Sequence, residues 1–215
     1  MPFVIETYCH IRNNRIFRDG KLIFEAPDAD LKGFLKSAYK FLNPGHAKFY
    51  KMDELSKLGF LAAEVLSPAF DRELPPEETA VILSNTHSTW ITDIRHQETI
   101  TDEDKFFPSP AIFVYTLPNI MTGEISIRHK FRGENAFFIF EKFNPEFLVD
   151  YVNQLIMSGK IKACLGGYVD QSIDGYEAFV YYLRSGKNDG KKPEHTAGEV
   201  RKLYEMNNEV KKEII

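Results

Sequence analysis

An α/β layered domain, with helices on a mostly parallel sheet, is the fold class this chain predicts, and three observations predict it. Apolar runs of strand length recur at residues 80–84, 136–140 and 163–169, with helix-period segments between them. The first run, Ala80-Val81-Ile82-Leu83-Ser84, shows no alternation, as expected of a strand buried on both faces at the centre of a parallel sheet. Residues 136–170 read as strand, sharp turn, helix, strand, the unit that builds such sheets. With 215 residues, 43% of them hydrophobic, the chain can form one sizeable core and is short for two.

The elements follow in order. Phe3 to Tyr8 reads as a strand, and Arg15 to Glu25 as two short strands about Asp19-Gly20, a strong hairpin signal. Pro27 to Lys51 is mixed, broken at Asn43-Pro44-Gly45. A helix is expected from about Met52 to Leu66: Leu55, Leu58, Gly59, Ala62, Val65 and Leu66 share one stripe, and Ser67-Pro68 stops it. Asn85 to Ile100 reads as loop and helix around the single tryptophan, Trp90. Leu117-Pro118-Asn119 marks a turn near a short helix, and Ile125 to His129 and Ala136 to Phe140 read as strands. Pro145 to Ser158 is the best-marked helix, with Asn144 to cap it, Pro145 at its first position, Glu146 in its first turn and Gly159 closing it. Ala163 to Val169 and Tyr176 to Leu183 are strands joined through Asp174-Gly175. Thr196 to Ile214 is expected to form a surface-docked amphipathic helix with Val200, Leu203, Val210 and Ile214 on one side.

Composition excludes some functions. A formal net charge of −4 gives no basic face for nucleic acid. Cys9 and Cys164 lie far apart, without zinc-like spacing or a disulfide framework, and Cys164 sits in an apolar run as a small hydrophobe. The N-terminus is interrupted by Glu6 and too short in apolar length for a signal peptide, and no run is long enough to span a bilayer. A cytoplasmic protein without metal or organic cofactor is the expectation. The 18 phenylalanines suggest a Phe-rich core, or else a Phe-lined interface or acyl pocket.

The turn before the Asn144-capped helix is the most informative stretch. A helix N-terminus lowers a thiol's pKa and is a natural seat for a nucleophile. Here the turn offers Glu141, Lys142, Phe143 and Asn144, with no Cys or Ser. Lys142 as a Schiff-base amine would need a buried site to lower its pKa. Cys9 and His10 are strand neighbours and point to opposite faces, which argues against a dyad. His87 and His96, with Asp93 between them, are nine residues apart; on a helix they face opposite ways, so an exposed polar segment is expected rather than a metal or acid–base cluster. His129, between Arg128 and Lys130, reads as a solvated basic patch, with a weak anion site as the sharper reading. Gly166-Gly167 lacks phosphate-loop spacing and fits strand glycines that let a neighbour approach closely.

Several blocks resemble the N-terminal half of β-ketoacyl synthases, which have the thiolase fold. Lys48 to Asp53 followed by Leu58 to Ala63 resembles the family's early helix. Ser109 to Phe113, then Leu117-Pro118-Asn119 and Gly123 to Ile127, resembles its "SP…F…LPN…G.IAI" block. Ser158-Gly159 with Leu165 to Asp170 resembles its "G…LAGG.(D/E)" strand, and Glu177-Ala178 onward the strand after it. The resemblance covers roughly residues 3 to 185 and is nearest to the ketosynthase-like proteins of aryl polyene and related polyketide or fatty-acid clusters. It implies a thiolase-like half-domain, a layered mixed sheet with helices on both faces, over residues 1–186, with a charged, helix-bearing tail over 187–215.

The departures are as telling. Counting back from Gly159 places the family's catalytic cysteine near Lys142, and no Cys lies within two residues. The family's two catalytic histidines belong to a second half that this chain does not contain. No catalytic residue is therefore expected. Lys142, Phe143, Phe113, Asn119, Arg128 and His129 remain as binding candidates, the last two for an acidic carrier-protein helix or a phosphopantetheine phosphate. The reading is a non-condensing ketosynthase-like subunit, inactive alone. It would form a homodimer or a heteromer with a ketosynthase-type subunit, with acyl carrier protein as a further partner. Family members dimerise largely through strands and the region about the nucleophile turn, so a lone half should leave an apolar sheet or helix face uncovered. The alternatives are half of a split β-ketoacyl synthase completed by a second polypeptide, and a carrier-protein scaffold. The Lys-rich stretch after Gly186 is unlike the family's linker, so a natural end is expected.

Overall fold

The computed structural model describes residues 3–101, 104, 106–185 and 190–206. One seven-stranded mixed sheet runs through it in the order β3-β2-β1-β7-β6-β4-β5. The strands are β1 (Phe3–Arg12), β2 (Arg15–Arg18), β3 (Lys21–Glu25), β4 (Thr79–Asn85), β5 (Asn135–Ile139), β6 (Ala163–Gln171) and β7 (Tyr176–Ser185). β4 pairs parallel with both β5 and β6 and the other four pairings are antiparallel, so the sheet is mixed, as the family resemblance implies, and not mostly parallel, as the apolar runs suggest. β4 and β6 are buried along their whole length, which is why they read as near-continuous apolar runs.

Local chemistry sets the turns. Asp19 and Gly20 both take positive φ, 51° and 76°, and close the β2–β3 hairpin as expected. Asn13 and Asn14 do the same between β1 and β2, at 49° and 57°. β1 extends four residues beyond the expected end at Tyr8, since Tyr8 to Ile11 continue to pair with β7. A bulge between Ile5 and Thr7 shifts its register, so Ile5 and Tyr8 reach the same core although three residues apart.

Helices cover both faces. On one lie α1 (Leu31–Leu42), α2 (Glu54–Leu66) and α5 (Asn119–His129); on the other lie α6 (Pro145–Met157) and α7 (Ala197–Glu205). The remaining helices, α3 (Trp90–Glu98) and the single turn α4 (Pro110–Phe113), form the connection from β4 towards α5. α2 is buried beyond the expected stripe: Phe60, Leu61 and Ala63 are enclosed as well. Its Gly59 is a close-approach point, because a Cβ there would meet Met121 Sδ at 2.2 Å.

Two elements correct the sequence reading. α1 occupies the segment read as mixed: Asp30 caps it by accepting from Gly33 N at 2.8 Å, and Phe34, Leu35, Ala38 and Tyr39 are buried. Ile125 to His129, read as a strand, is the end of α5. Ile125 and Ile127 alternate with Ser126 and Arg128 and so mimic a strand. The buried set Met121, Ile125 and His129 instead follows the helix, and Ile127 is left 69% exposed. Of the C-terminal helix, Val200 and Leu203 are buried as expected, while Val210 and Ile214 lie outside the described residues.

Candidate functional site

The turn ahead of α6 forms as the sequence indicated. β5 leaves the sheet with Phe140 N donating to Asn85 O at 2.9 Å, and Asn144 caps α6 by accepting from Phe147 N at 3.0 Å. Pro145 takes the first helical position, and Gly159 closes the far end at φ 72°. Lys142 is exposed, so it lacks the burial a Schiff-base amine needs. Phe143 is buried and faces inward, its ring 4.5 Å from Tyr204, 5.5 Å from Tyr168 and 5.8 Å from Phe179. The turn therefore splits, with Lys142 open to solvent and its neighbour Phe143 a core side chain.

α7 seals that position. Tyr204 lies over Phe143, donates to Glu177 at 2.9 Å and carries the Arg12 guanidinium 4.6 Å from its ring centroid. Arg12 also donates to Tyr204 O at 3.1 Å and pairs with Glu177 at 2.8 Å. Arg201 pairs with Glu146 at the start of α6. Beneath them His10 is fully buried, stacked on Phe179 at 4.9 Å. Burial and the nearby Arg12 charge lower its pKa to about 3.

Neither thiol is available. Cys9 and Cys164 are fully buried, and burial pushes both thiols well up. Cys164 lies at the opening of β6, at the end of the sheet away from the turn, paired across to Leu183. Cys9 and His10 do face opposite sides of β1. The strand glycines act as spacers: a Cβ on Gly166 would sit 2.8 Å from the Tyr181 ring, and one on Gly167 only 2.1 Å from Phe179 O.

The other binding candidates do not gather at this turn. Phe113 is half-exposed and packs on His96 at 5.4 Å, and Asn119 opens α5 at the surface. Arg128 is engaged by Glu64 at 2.8 Å and by Pro44 O at 2.6 Å. His129 is buried against Phe70 and Phe131 rather than solvated, and burial lowers its pKa to about 3. The expected solvated basic patch is therefore an internal arrangement around Glu64.

A pair that sequence reasoning missed lies at the same end of the sheet. Asp170, near the close of β6, accepts from Thr86 N at 3.0 Å and His87 N at 2.9 Å through Oδ1; its Oδ2 meets His87 Nδ1 at 2.7 Å. In the sequence, His87 has His96 and Asp93 as its neighbours. Its actual partner is 83 residues away, visible only once β4 and β6 pair in parallel. His96 and Asp93 take other partners, Phe113 and Thr89. Asp170 also lines a crevice of about 280 Å³ with Arg12, Glu177 and Tyr176. Among the described residues no cluster of His, Cys, Asp and Glu is placed to hold a metal ion, and no helix is long and apolar enough to cross a membrane.

No family model and no curated protein matches this chain. Solved structures do. The ishigamide ketosynthase/chain length factor superposes with a TM-score of 0.62 at 13% identity, over 90% of this chain and 64% of its own. A β-ketoacyl synthase from Burkholderia phymatum gives 0.57 at 12% identity, over 86% of this chain and 59% of its own. A ketosynthase in complex with its chain length factor, from Xenorhabdus doucetiae, gives 0.54 at 11% identity, over 86% of this chain and 80% of its own. The chain thus has a ketosynthase-like thiolase fold and spans about three-fifths of the length of several of these relatives.

Proposed function

We propose that this chain is a non-condensing ketosynthase-like subunit, working beside a ketosynthase-type partner in polyketide or fatty-acid assembly of the aryl-polyene type. The observation that carries the reading is the turn ahead of α6: the strand-turn-helix scaffold is kept, but around Lys142, where the resemblance puts a condensing enzyme's reactive sulfur, it offers an exposed Lys and a buried Phe143 and no Cys or Ser. The similar structures support the setting. Two join a ketosynthase with a chain length factor, and a third holds a type II acyl-carrier protein with its ketosynthase.

The partner surface differs from the expectation of an uncovered face, since α1, α2 and α5 cover one side of the sheet and α6 and α7 the other. Among the described residues the sheet's two edges, β3 and β5, stay open, and the β5 edge adjoins the α6 turn. β5 ends the sheet order, Ile139 is 52% exposed, and Phe138, Phe140, Phe147 and Tyr151 form an aromatic cluster beside it. An unpaired, aromatic-flanked edge strand is a template for pairing with another chain. It adjoins the α6 turn, the region through which relatives with this fold are expected to dimerise.

Sedimentation of the chain, alone and mixed with a ketosynthase-type subunit and an acyl carrier protein, tests this. Association is expected, and Ile139→Lys should abolish it without loss of fold. A monomer in every mixture would refute the proposal.

A further inference from the structure

The turn between β4 and α3 carries chemistry that a partner role leaves unused. Asp170 accepts from Nδ1 of His87, and a carboxylate oxygen only accepts. Nδ1 therefore donates this bond, and Nε2 is left as the ring's second nitrogen, on a side chain 37% exposed. The surrounding backbone is tightly held. Asn85 receives Ser88 N at 3.0 Å and donates to Ser88 O at 2.7 Å, while Ser88 keeps a left-handed φ of 52°. Thr89 donates to Thr116 O at 2.8 Å, and the Thr86 and Tyr168 hydroxyls lie 2.7 Å apart. Strained non-glycine residues fixed by such networks cluster at functional sites.

An apolar track starts at this imidazole. The Trp90 ring stacks on it at 6.0 Å and 19°. Trp90 and Ile94, one helical turn apart on α3, are each 41% exposed. The track ends at an open hollow of about 410 Å³ lined by Ile94, Gln97, Glu98 and Thr101. Trp90, Ile94 and Gln97 follow helical spacing on α3, which rises about 12 Å from Trp90 to Glu98, room for a medium-length acyl chain.

We propose that His87, positioned by Asp170, is a general base that activates water against an activated acyl group, a thioester or ester, whose chain lies along Trp90 and Ile94. A water proton passes to Nε2 as the water oxygen bonds to the carbonyl carbon. The resulting imidazolium is held by Asp170. Collapse breaks the carbon–sulfur or carbon–oxygen bond, and Nε2 returns the proton to the leaving thiolate or alkoxide, giving acid and thiol or alcohol. No protein nucleophile takes part, consistent with two buried thiols. The inference goes beyond the partner reading and does not rest on it, because small probes need no second protein.

Hydrolysis of acetyl- and octanoyl-N-acetylcysteamine and of p-nitrophenyl octanoate by the full chain tests it, the last two separating thioester from ester. Turnover is expected on at least one octanoyl probe and faster than on the acetyl probe. His87→Gln, at a half-exposed position that leaves the fold intact, should lower kcat/KM about 100-fold. Asp170→Asn should lower kcat about 10-fold or more with KM and Tm kept, the mark of a positioning residue. Trp90→Ala should raise KM for the octanoyl probe alone. No turnover above buffer on any probe, or an unchanged rate in His87→Gln, overturns the proposal.

Discussion

Two turns leave neighbouring parallel strands and enter helices, and they solve opposite problems. The one between β5 and α6 points Phe143 into the core under Tyr204 and leaves no Cys or Ser at its helix N-terminus. The one between β4 and α3 sends His87 outward and anchors it from behind through Asp170. The same strand-to-helix device thus serves packing in one place and presents a titratable group in the other. What decides is whether the side chain at the bend is apolar with a socket or polar with a fixed partner.

Substitutions at the two bends should differ most. Phe143→Ala removes a buried ring and is expected to cost about 3–5 kcal/mol in denaturant unfolding. His87→Ala, half-exposed, should stay within about 1 kcal/mol. Similar costs at the two would erase the contrast.

Acid should loosen both faces of the sheet, since His10 and His195 pack on the α6–α7 side and His129 on the α5 side. His10, His129 and His195 are buried, with pKa values lowered to about 3, 3 and 4. The folded state thus resists protons that the unfolded chain accepts below about 6.5. The stability they contribute is fully present above that pH and is lost as pH falls towards their folded values. Each should cost about 2 kcal/mol by pH 5. Denaturant titrations at pH 7.5 and 5 check this, and His10→Phe should flatten the slope in proportion. Hydrogen exchange should show α7 opening early, because His10 lies beneath Tyr204, on Phe179.

Helix capping gives the smallest effect. Asn144→Ala should cost about 1 kcal/mol, since Phe147 N loses its acceptor. A loss above about 3 kcal/mol would mean that the cap also holds Phe143 in place.

Legibility in the sequence followed the range of the interactions. The α6 cap and the Asp19-Gly20 hairpin rest on contacts within a few residues, and each was readable; β4 was readable too, because burial on both faces leaves an unbroken apolar run. α1 was equally local, with Asp30 as cap and apolar residues at 34, 35, 38 and 39, but Gly33 and the flanking acidic residues masked its period. Ile125 to Ile127 misled because a short alternation satisfies two periods at once, and only packing against α2 selects the helix. The missing nucleophile was visible as an absence of Cys or Ser. The His87–Asp170 pair was not visible, because its geometry exists only where β4 and β6 run side by side. Nor was the burial of Phe143 beneath α7, since its partner Tyr204 is remote in the sequence.

Intact-mass analysis of the chain after incubation with an acyl thioester, with native and unfolded thiol alkylation alongside, tests the central claim most directly. The account expects no acyl adduct, no thiol labelled in the native state, and both cysteines labelled on unfolding. An acyl group found on Lys142, Cys9 or Cys164 of the folded protein would contradict it.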